Sequence, residues 1–270
     1  MISFVRKRMD SSRIESLIEE VRKIAFAAGE VILDVYKDEA SFGVEAKADD
    51  SPLTLADQRA NKVICDALIQ LDISIPIISE ENKAIPFDER KNFEYFWMVD
   101  PLDGTKEFIK RNGEFTVNIA LIKNDKSVAG VVYVPVTNQM YWAIEGQGAF
   151  SSDSENKVSL SANSYSMEDE ALGVVCSRSH LNEETSAFLA NMNKPETVSK
   201  GSSLKFLIIA EGNADVYPRL APTMEWDTAA AQIILEEAGG KVVRADDKSP
   251  LRYNKEILTN PHFIAFGTVK

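Results

Sequence analysis

Five strand-like segments follow two helical segments in the first half of the chain, and this order most constrains the fold. The strand segments are IPIIS (75–79), EYFWMVD (94–100), FTVNIALI (115–122), VAGVVYV (128–134) and MYWAIEG (140–146). Polar or glycine-containing turns separate them, a pattern typical of a meandering sheet. Two helices and such a sheet predict a layered α+β structure.

Two helices are predicted ahead of the sheet. Apolar residues recur at helical spacing at Ile14, Leu17, Ile18, Val21 and Ile24. Ser12 to Glu15 fit a capping box, so a long first helix is expected from there to about Tyr36. The same spacing predicts a second helix over Leu55 to Leu71, beside the first. Residues 41–54, between the two helices, are interpreted as a loop or hairpin.

Beyond the polar stretch SSDSENK (151–157) the pattern changes to alternating strands and helices. Strands are predicted at 171–177, 214–220, 241–244 and 263–267, and helices at 183–191, 204–211 and 226–238. We therefore predict an N-terminal α+β domain over residues 1–152 and a C-terminal α/β domain over residues 153–270.

Composition excludes several classes of partner. The 270 residues carry a formal net charge of −12 without a compensating basic run, so nucleic acid polymers and anionic membranes are poor partners. An anionic substrate would need help to enter, and a bound divalent cation is the usual help.

Cysteine usage and hydropathy indicate the compartment. Cys65 and Cys176 lie far apart and lack C-x-x-C spacing, which predicts two buried thiols in a reducing cytoplasm. No segment approaches the length of a membrane span. We expect a cytoplasmic protein; peripheral attachment to the inner membrane and homo-oligomerisation are left open.

Acidic residues stand at four places where a strand ends or a helix begins. They are Asp57, Glu80 with Glu81, Asp100 with Asp103, and Asp227. Taken singly, each could be a helix cap, a solvated turn, a strand stop or a partner of a helix dipole. The pair Asp100 and Asp103 in WMVDPLDGTKEF (97–108) favours a site. Gly104 permits the close backbone approach that a ligand requires, and a helix that begins at Thr105 would bind an anion at its N-terminus.

Hard oxygen ligands beside a phosphate-sized anion site are what Mg²⁺ uses, so the pattern predicts a metal-assisted phosphatase. Four other phosphate chemistries lack their motifs. The chain has neither G-x-x-x-x-G-K-[ST] nor G-x-S-x-G, and Gly146-Gln147-Gly148 does not continue to a third glycine. Pro101 and Leu102 put two residues between the aspartates where D-x-D-G-[ST] has one.

The ordered set Asp57, SEEN (79–82), DPLDGT (100–105) and WDTAA (226–230) resembles the inositol monophosphatase superfamily of lithium-sensitive, magnesium-dependent phosphatases. Within that superfamily, DPLDGTKEF, SRSH (177–180) and residues 201–232 resemble the 3'(2'),5'-bisphosphate nucleotidases. The resemblance runs from about the first helix to the C-terminus. It implies a layered αβαβα sandwich of the inositol monophosphatase and sugar phosphatase type.

The resemblance also implies roles for single residues. Two or three Mg²⁺ ions would be held by Glu80, Asp100, the backbone carbonyl of Leu102, Asp103 and Asp227. The catalytic residues around the attacking water would be Asp57, Glu80 and Thr105. The substrate would contact Glu80, Leu102, Asp103, Gly104, Thr105, His180, Ser202, Lys205, Arg219 and Asp227.

Some assignments have competing interpretations. Glu81 is left undecided between supporting a ligand and facing solvent, and Lys205 and Arg219 could be solvated surface charges. His180 invites a zinc interpretation, but His262 is far away in sequence and no Cys/His spacing supports zinc.

Three functions therefore compete. The resemblance favours hydrolysis of adenosine 3',5'-bisphosphate, a small-molecule partner, to AMP and phosphate. The alternatives are an inositol or sugar phosphate monophosphatase and a non-catalytic sensor that binds nucleotide and metal. The complete set of acids argues against a sensor, and Lys106-Glu107, SRSH and GSSLKF argue against an inositol phosphatase. The choice between 3'- and 2'-phosphate stays open.

Overall fold

The computed structural model of the chain describes residues 9–38, 42–46, 52–153, 156–176 and 182–270. The helices are α1 (Ser11–Tyr36), α2 (Leu55–Leu71), α3 (Phe87–Arg90), α4 (Thr105–Ile109), α5 (Glu183–Ala190), α6 (Leu204–Ala210) and α7 (Ala229–Glu237). The strands of the first half are β1 (Glu45–Ala46), β2 (Pro52–Leu53), β3 (Ile77–Ser79), β4 (Tyr95–Asp103), β5 (Thr116–Lys123), β6 (Lys126–Val134), β7 (Gln139–Ile144), β8 (Ala149–Ser152) and β9 (Lys157–Ser159). Those of the second half are β10 (Ser164–Tyr165), β11 (Gly173–Cys176), β12 (Glu196–Ser199), β13 (Val216–Arg219), β14 (Lys241–Arg244), β15 (Phe263–Phe266) and β16 (Thr268–Val269).

The strands of the first half form a seven-stranded sheet in the order β3-β4-β5-β6-β7-β8-β9. From β4 onward each strand pairs antiparallel with the next, so the predicted meander is confirmed, and β8 and β9 extend it. Strand β3 instead runs parallel to β4. The second sheet has the order β12-β11-β13-β15-β14 and mixes parallel and antiparallel pairs. Strands β1 and β2 pair antiparallel between α1 and α2, as a hairpin would.

Alternating side chains give the central strands two apolar faces. Trp97 and Val99 of β4 pack in a cluster with α1 and α2, whereas Phe96 and Met98 pack in a cluster with α6 and α7. Residues of the second sheet cover the other side of α6 and α7, and Phe188 of α5 packs on the far face of that sheet. The layers therefore run helix, sheet, helix, sheet, helix, which confirms the predicted αβαβα sandwich.

Side chains fix the starts of the first two helices. The carboxylate of Asp10 accepts a hydrogen bond from the amide of Arg13 at 3.0 Å, so α1 begins at Ser11. The predicted capping box at Ser12 was wrong, because Asp10 supplies the acceptor and the Ser12 hydroxyl itself donates to Asp10. Helix α2 has the predicted bounds, Leu55 to Leu71, and its N-cap is Thr54.

The two halves of the chain share buried contacts. Strand β9 belongs to the seven-stranded sheet although it follows residue 152, and one apolar cluster around α7 contains residues of both halves. The division into two domains, residues 1–152 and 153–270, stays a prediction. Both cysteines are free thiols. Cys176 is buried, as predicted, whereas Cys65 is only half-buried, so the predicted burial was wrong there. Within the described ranges, no helix combines the length and apolarity needed to cross a bilayer.

Gly130 in β6 allows α7 to lie close against the seven-stranded sheet. A Cβ at this position would lie 2.5 Å from the carbonyl oxygen of Ala230 and 2.7 Å from Cγ2 of Ile233. We expect Gly130→Ala to lower the free energy of unfolding by about 1–3 kcal/mol, measured by denaturant titration. The control is Gly173→Ala in β11, where the added methyl meets nothing nearer than 3.3 Å. An equal loss in both variants would contradict the close approach of α7.

Candidate active site

The ends of two parallel strands bring the first pair of acids together. In the β3–β4 pair, Ser79 lies opposite Val99, so the next residues, Glu80 and Asp100, leave the same edge of the sheet side by side. The amide of Glu80 donates to the carbonyl of Val99 at 3.1 Å, which continues the pairing by one bond. The parallel pairing of β3 therefore places Glu80 beside Asp100.

A bulge at the end of β4 places the second aspartate. Asp100 pairs with Asn118 and Asp103 pairs with Thr116, so β4 has one residue more than β5 between the two pairs. The amide of Leu102 donates to Asp100 Oδ1 at 3.0 Å and fixes that carboxylate. The bulge thus holds both aspartates on one short turn.

Gly104 closes this turn with a φ of +95°, a conformation that favours glycine. A Cβ there would also lie 2.9 Å from the carbonyl oxygen of Glu114. Helix α4 begins at the next residue, Thr105, as predicted, and ends after five residues. Gly104 is therefore required both by its backbone angle and by the closeness of the neighbouring loop.

Asp57 joins the site from the first turn of α2. Its Oδ2 accepts hydrogen bonds from the Thr54 amide at 2.7 Å and the Thr54 hydroxyl at 2.5 Å. Its Oδ1 accepts from the Thr105 hydroxyl at 3.2 Å, the bond expected from the sequence. The same hydroxyl lies 3.3 Å from the carbonyl oxygen of Leu102, so its single proton can serve either acceptor. One side of the Asp57 carboxylate therefore caps α2 and the other faces the DPLDGT turn.

The second half of the chain contributes Asp227, just ahead of α7. Its Oδ2 accepts from the amide of Met224 at 2.9 Å. The segment is anchored by Glu225, which is fully buried and accepts from the amides of Asn254 and Lys255 at 2.6 and 3.0 Å. Glu225 also pairs with the Lys255 ammonium at 2.6 Å. These bonds fix the loop that presents Asp227.

The acids repel one another in a poorly solvated place. Burial raises the pKa of Asp100 well above its usual value, and the charges of Glu80 and Asp103 raise it further. Asp227 and Asp57 add smaller contributions in the same direction. Burial and the neighbouring Asp103 raise the pKa of Asp227 to about 8. A cation among these carboxylates would favour their ionised forms.

The donor set fits Mg²⁺ in kind, because it consists of carboxylate oxygens and one backbone carbonyl, the ligands that this ion prefers. Within the described ranges, no three acidic, histidine or cysteine side chains form a closed group around one point. Mg²⁺ usually keeps several waters and shares substrate phosphate oxygens, so an open set of acids suits it better than a closed cage does.

A cavity of about 480 Å³ adjoins the acids and collects most of the residues predicted to bind substrate. Six of those residues line it: Asp103, Gly104, Ser202, Lys205, Arg219 and Asp227. Its size lies within the usual range for small-molecule sites. His180 and the SRSH motif lie outside the described residues.

Two cations of this cavity lie close to the acids. The Lys205 ammonium donates to the carbonyl of Ser202 at 2.6 Å and lies 5.6 Å from the centroid of the Tyr217 ring. Burial lowers the pKa of Lys205; the charge of Asp103 opposes that shift and the charge of Arg219 adds to it. Arg219 donates to the carbonyl of Pro222 at 2.8 Å. Both cations therefore lie within electrostatic reach of the acidic cluster.

Sequence reasoning missed several residues that the fold brings to this site. The cavity is also lined by Lys110, Lys200 and Tyr217. Thr116 and Asn118 are buried next to Asp103, and Glu225 is buried next to Asp227. One signal was readable: Thr116 and Asn118 are polar residues within the apolar run FTVNIALI. No comparable signal distinguishes the buried Glu225 from a surface acid.

A sequence model of the inositol monophosphatase family matches residues 13–265. The chain belongs to the inositol monophosphatase family. It is 44% identical over 248 residues to the 3'(2'),5'-bisphosphate nucleotidase CysQ of Escherichia coli O6:H1, a match that covers 92% of this chain and 98% of that protein. It is 36% identical over 255 residues to the CysQ nucleotidase of Haemophilus influenzae, covering 94% and 93% of the two chains.

A solved structure gives the same result. The crystal structure of CysQ from Bacteroides thetaiotaomicron, described as a bacterial member of the inositol monophosphatase family, superposes with a TM-score of 0.81 at 42% identity. The match covers 95% of this chain and 98% of that one. The resemblance to bisphosphate nucleotidases predicted from the motifs is therefore confirmed, and so is the family fold.

Removing one charge from the acidic cluster should stabilise the protein when no divalent cation is present. We expect Asp100→Asn, in the presence of a chelator, to raise Tm by about 2–4 °C for each kcal/mol of repulsion relieved. The asparagine oxygen can still accept from the Leu102 amide. Because the folded state raises the pKa of Asp100, its ionisation costs stability as pH rises, so the gain should be larger near pH 8 than near pH 5.

The matched control is Asp72→Asn, because Asp72 pairs with Arg13 at 3.1 Å and its pKa is lowered. The Tm of Asp72→Asn, measured by scanning calorimetry, should be equal to or lower than that of the wild type. A lower Tm for Asp100→Asn than for the wild type, in chelator near pH 8, would show that the acids do not repel as described.

Proposed function

We propose that the chain is a Mg²⁺-dependent phosphomonoester hydrolase of the cytoplasm that converts adenosine 3',5'-bisphosphate to AMP and phosphate. The observation that carries this proposal is the buried Asp100, which faces other carboxylates next to a cavity that also holds Lys205 and Arg219. Such a site suits metal cations at the carboxylates and an additional anionic group of the substrate at Lys205 and Arg219. The nucleotidase names of relatives at 36–44% identity support the choice of substrate.

The proposed metal ligands are the oxygen donors described above. Two or three Mg²⁺ ions would be held by Glu80, Asp100, the carbonyl of Leu102, Asp103 and Asp227. When bound, the ions would supply charge neutralisation at the phosphate and a more acidic water. Asp100 would be the central ligand, because the charges of four other acids act on it.

Glu80, Thr105 and Asp57 would position the attacking water. The Thr105 hydroxyl donates its single proton to Asp57 at 3.2 Å or to the Leu102 carbonyl at 3.3 Å. In either case its oxygen can only accept from a further partner, and a water would donate to it. Glu80, beside Asp100, would accept the second proton of that water. The water oxygen then forms a bond to phosphorus, and the bond from phosphorus to the ribose oxygen breaks. The ribose oxygen takes up a proton from solvent, and Glu80 releases the proton of the water to solvent.

Lys205 and Arg219 would recognise the second phosphate. An inositol phosphate has one phosphate and needs no fixed cation away from the metals, whereas a nucleoside bisphosphate offers a second anionic group. Burial lowers the pKa of Lys205, and an incoming phosphate would favour its charged form. A substrate without that phosphate would leave the cations unmatched, so it should react more slowly.

A substrate panel tests the proposed function. We expect released phosphate to require Mg²⁺ and to fall to background in chelator. The kcat/KM for adenosine 3',5'-bisphosphate should exceed that for 3'-AMP and for inositol 1-phosphate by about 10-fold or more, the usual minimum when a buried charged partner is left unmatched. Equal or faster turnover of inositol 1-phosphate would favour the inositol phosphatase, and Mg²⁺ and nucleotide binding without turnover would favour the sensor.

Substituting Lys205 tests the basis of that preference. Lys205→Met keeps the alkyl chain near Tyr217 but removes the charge. We expect the ratio of kcat/KM for the bisphosphate to kcat/KM for 3'-AMP to fall about 10-fold, the loss typical of one charge-assisted hydrogen bond. Lys241→Met is the control, because the Lys241 ammonium also lies near an aromatic ring, 5.4 Å from the centroid of Phe266, outside the cavity. An unchanged ratio in Lys205→Met would remove Lys205 from the proposed phosphate contacts.

A further inference from the structure

Two polar side chains lie on one face of β5 where the strand is otherwise apolar. Thr116 and Asn118 are 0% and 1% exposed, and their spacing of two residues puts both on the same side of the sheet. Each lies opposite an aspartate of β4, Thr116 opposite Asp103 and Asn118 opposite Asp100. Polar groups buried to this degree must be satisfied by hydrogen bonds.

Their partners come from the other half of the chain. The Thr116 hydroxyl lies 2.8 Å from the hydroxyl of Ser202 and 2.8 Å from that of Ser203. The Ser203 hydroxyl also donates to Asn118 Oδ1 at 3.0 Å. The Ser202 hydroxyl donates to Oδ2 of Asp103 at 2.6 Å, the shortest bond of the set. A buried network therefore leads from β5, through the turn before α6, to one oxygen of Asp103.

Counting protons gives the network a direction. A carboxylate only accepts, so the single proton of Ser202 is committed to Asp103. The Ser202 oxygen must then accept, so Thr116 is the donor in the 2.8 Å contact between the two hydroxyls, although its single proton also has Asn118 Oδ1 at 3.2 Å. The Asn118 amide makes a longer contact of 3.5 Å to the same Oδ2. Across the described part of the chain, no hydrogen bond reaches Oδ1 of Asp103.

The backbone of Ser202 is held in an unfavourable conformation. Its φ is +53°, in the left-handed region that costs a residue other than glycine about 1–2 kcal/mol. The Lys205 ammonium binds the Ser202 carbonyl at 2.6 Å, and the Glu114 carboxylate binds the amide of Gly201 at 2.9 Å. Strain held in place from several sides is typical of residues whose exact placement serves function.

We propose that Thr116, Asn118 and Ser203 are positioning residues that hold Ser202 on Oδ2 of Asp103 and so direct Oδ1 of Asp103 toward the cation site. This inference rests on the proposed function, because it assigns Asp103 to the metal. Neighbours that orient a ligand usually account for about 10- to 100-fold in metal affinity or activity. Without the network, the Asp103 carboxylate is free to rotate. A second hydrogen bond would then occupy Oδ1, the oxygen that the network leaves for the cation.

The test variant is Thr116→Val, which keeps the branched shape and removes the hydroxyl. Thr116→Ser restores the hydroxyl, and Thr268→Val is the control, because it removes a hydroxyl bond to the Gly239 carbonyl at 2.8 Å in a residue that does not line the cavity. Mg²⁺ affinity is measured by calorimetry without substrate, and kcat, KM and the Mg²⁺ dependence of activity are measured separately. Thermal unfolding in chelator records the stability of each variant.

We expect Thr116→Val to weaken Mg²⁺ binding by about 10-fold or more and to lower kcat more than it raises KM. Thr116→Ser should recover most of the affinity, and Thr268→Val should match the wild type. Unchanged Mg²⁺ affinity in folded Thr116→Val, or a wild type that binds no Mg²⁺, would overturn the proposal. If Thr116→Val unfolds, Mg²⁺ affinity is measured on Ser203→Ala instead. A loss of about 10-fold supports the proposal, and an unchanged affinity overturns it.

The two proposals fail in different ways. A wild type that binds Mg²⁺ but does not hydrolyse the bisphosphate would end the proposed function, yet a 10-fold loss of Mg²⁺ affinity in Thr116→Val would still support the network. Hydrolysis by the wild type with unaltered Mg²⁺ binding and turnover in Thr116→Val would support the function and reject the network.

Discussion

Repulsion among buried carboxylates at one edge of the seven-stranded sheet is the constraint on which the site depends. Asp100 is 2% exposed and faces the charges of four other acids, so the apo protein bears a cost that only a cation or protons can relieve. Every nearby element holds an acid in place against that repulsion. The parallel β3 places Glu80, the β4 bulge places Asp103, and the cap of α2 places Asp57.

The helix layer between the two sheets completes the cluster from the second half of the chain. Helix α7 lies close to β6 because Gly130 has no side chain there, and the loop ahead of α7 presents Asp227. The turn ahead of α6 likewise brings Ser202 to Asp103. A shift of this layer against the sheet would therefore separate the acids, so fold stability and the geometry of the site are linked.

Charge organises the site on a larger scale. The chain is strongly acidic overall, yet Lys205 and Arg219 lie in the cavity beside the acids. Under the proposed function, an anionic substrate would be drawn by bound cations and by these two side chains, because the surface as a whole repels it. Specificity would follow from the same arrangement, since the half-buried Lys205 and Arg219 favour a ligand that supplies a matching second charge.

The sequence by itself determined the long elements and the family. Periodicity predicted α2 with its observed bounds and five strands of the first sheet within a few residues, because these patterns reflect which face of each element is buried. It did not predict that the first of these strands, β3, runs parallel to β4. The motifs around Asp100 and Asp227 identified the inositol monophosphatase family, because adjacent residues carry them. Local pattern failed at the start of α1, where Asp10 and Ser12 offer equivalent caps and only the folded backbone selects between them.

Only the tertiary structure decided how the acids are held. Asp103 and Ser202 are 99 residues apart, and no local pattern predicts that their side chains meet or that Thr116 lies between Ser202 and Ser203. The buried position of Glu225 and the closeness of Lys205 to Tyr217 arise in the same way. Such contacts follow from how the two sheets pack around α6 and α7, and packing depends on the whole chain, whereas periodicity and motifs depend on neighbours in sequence.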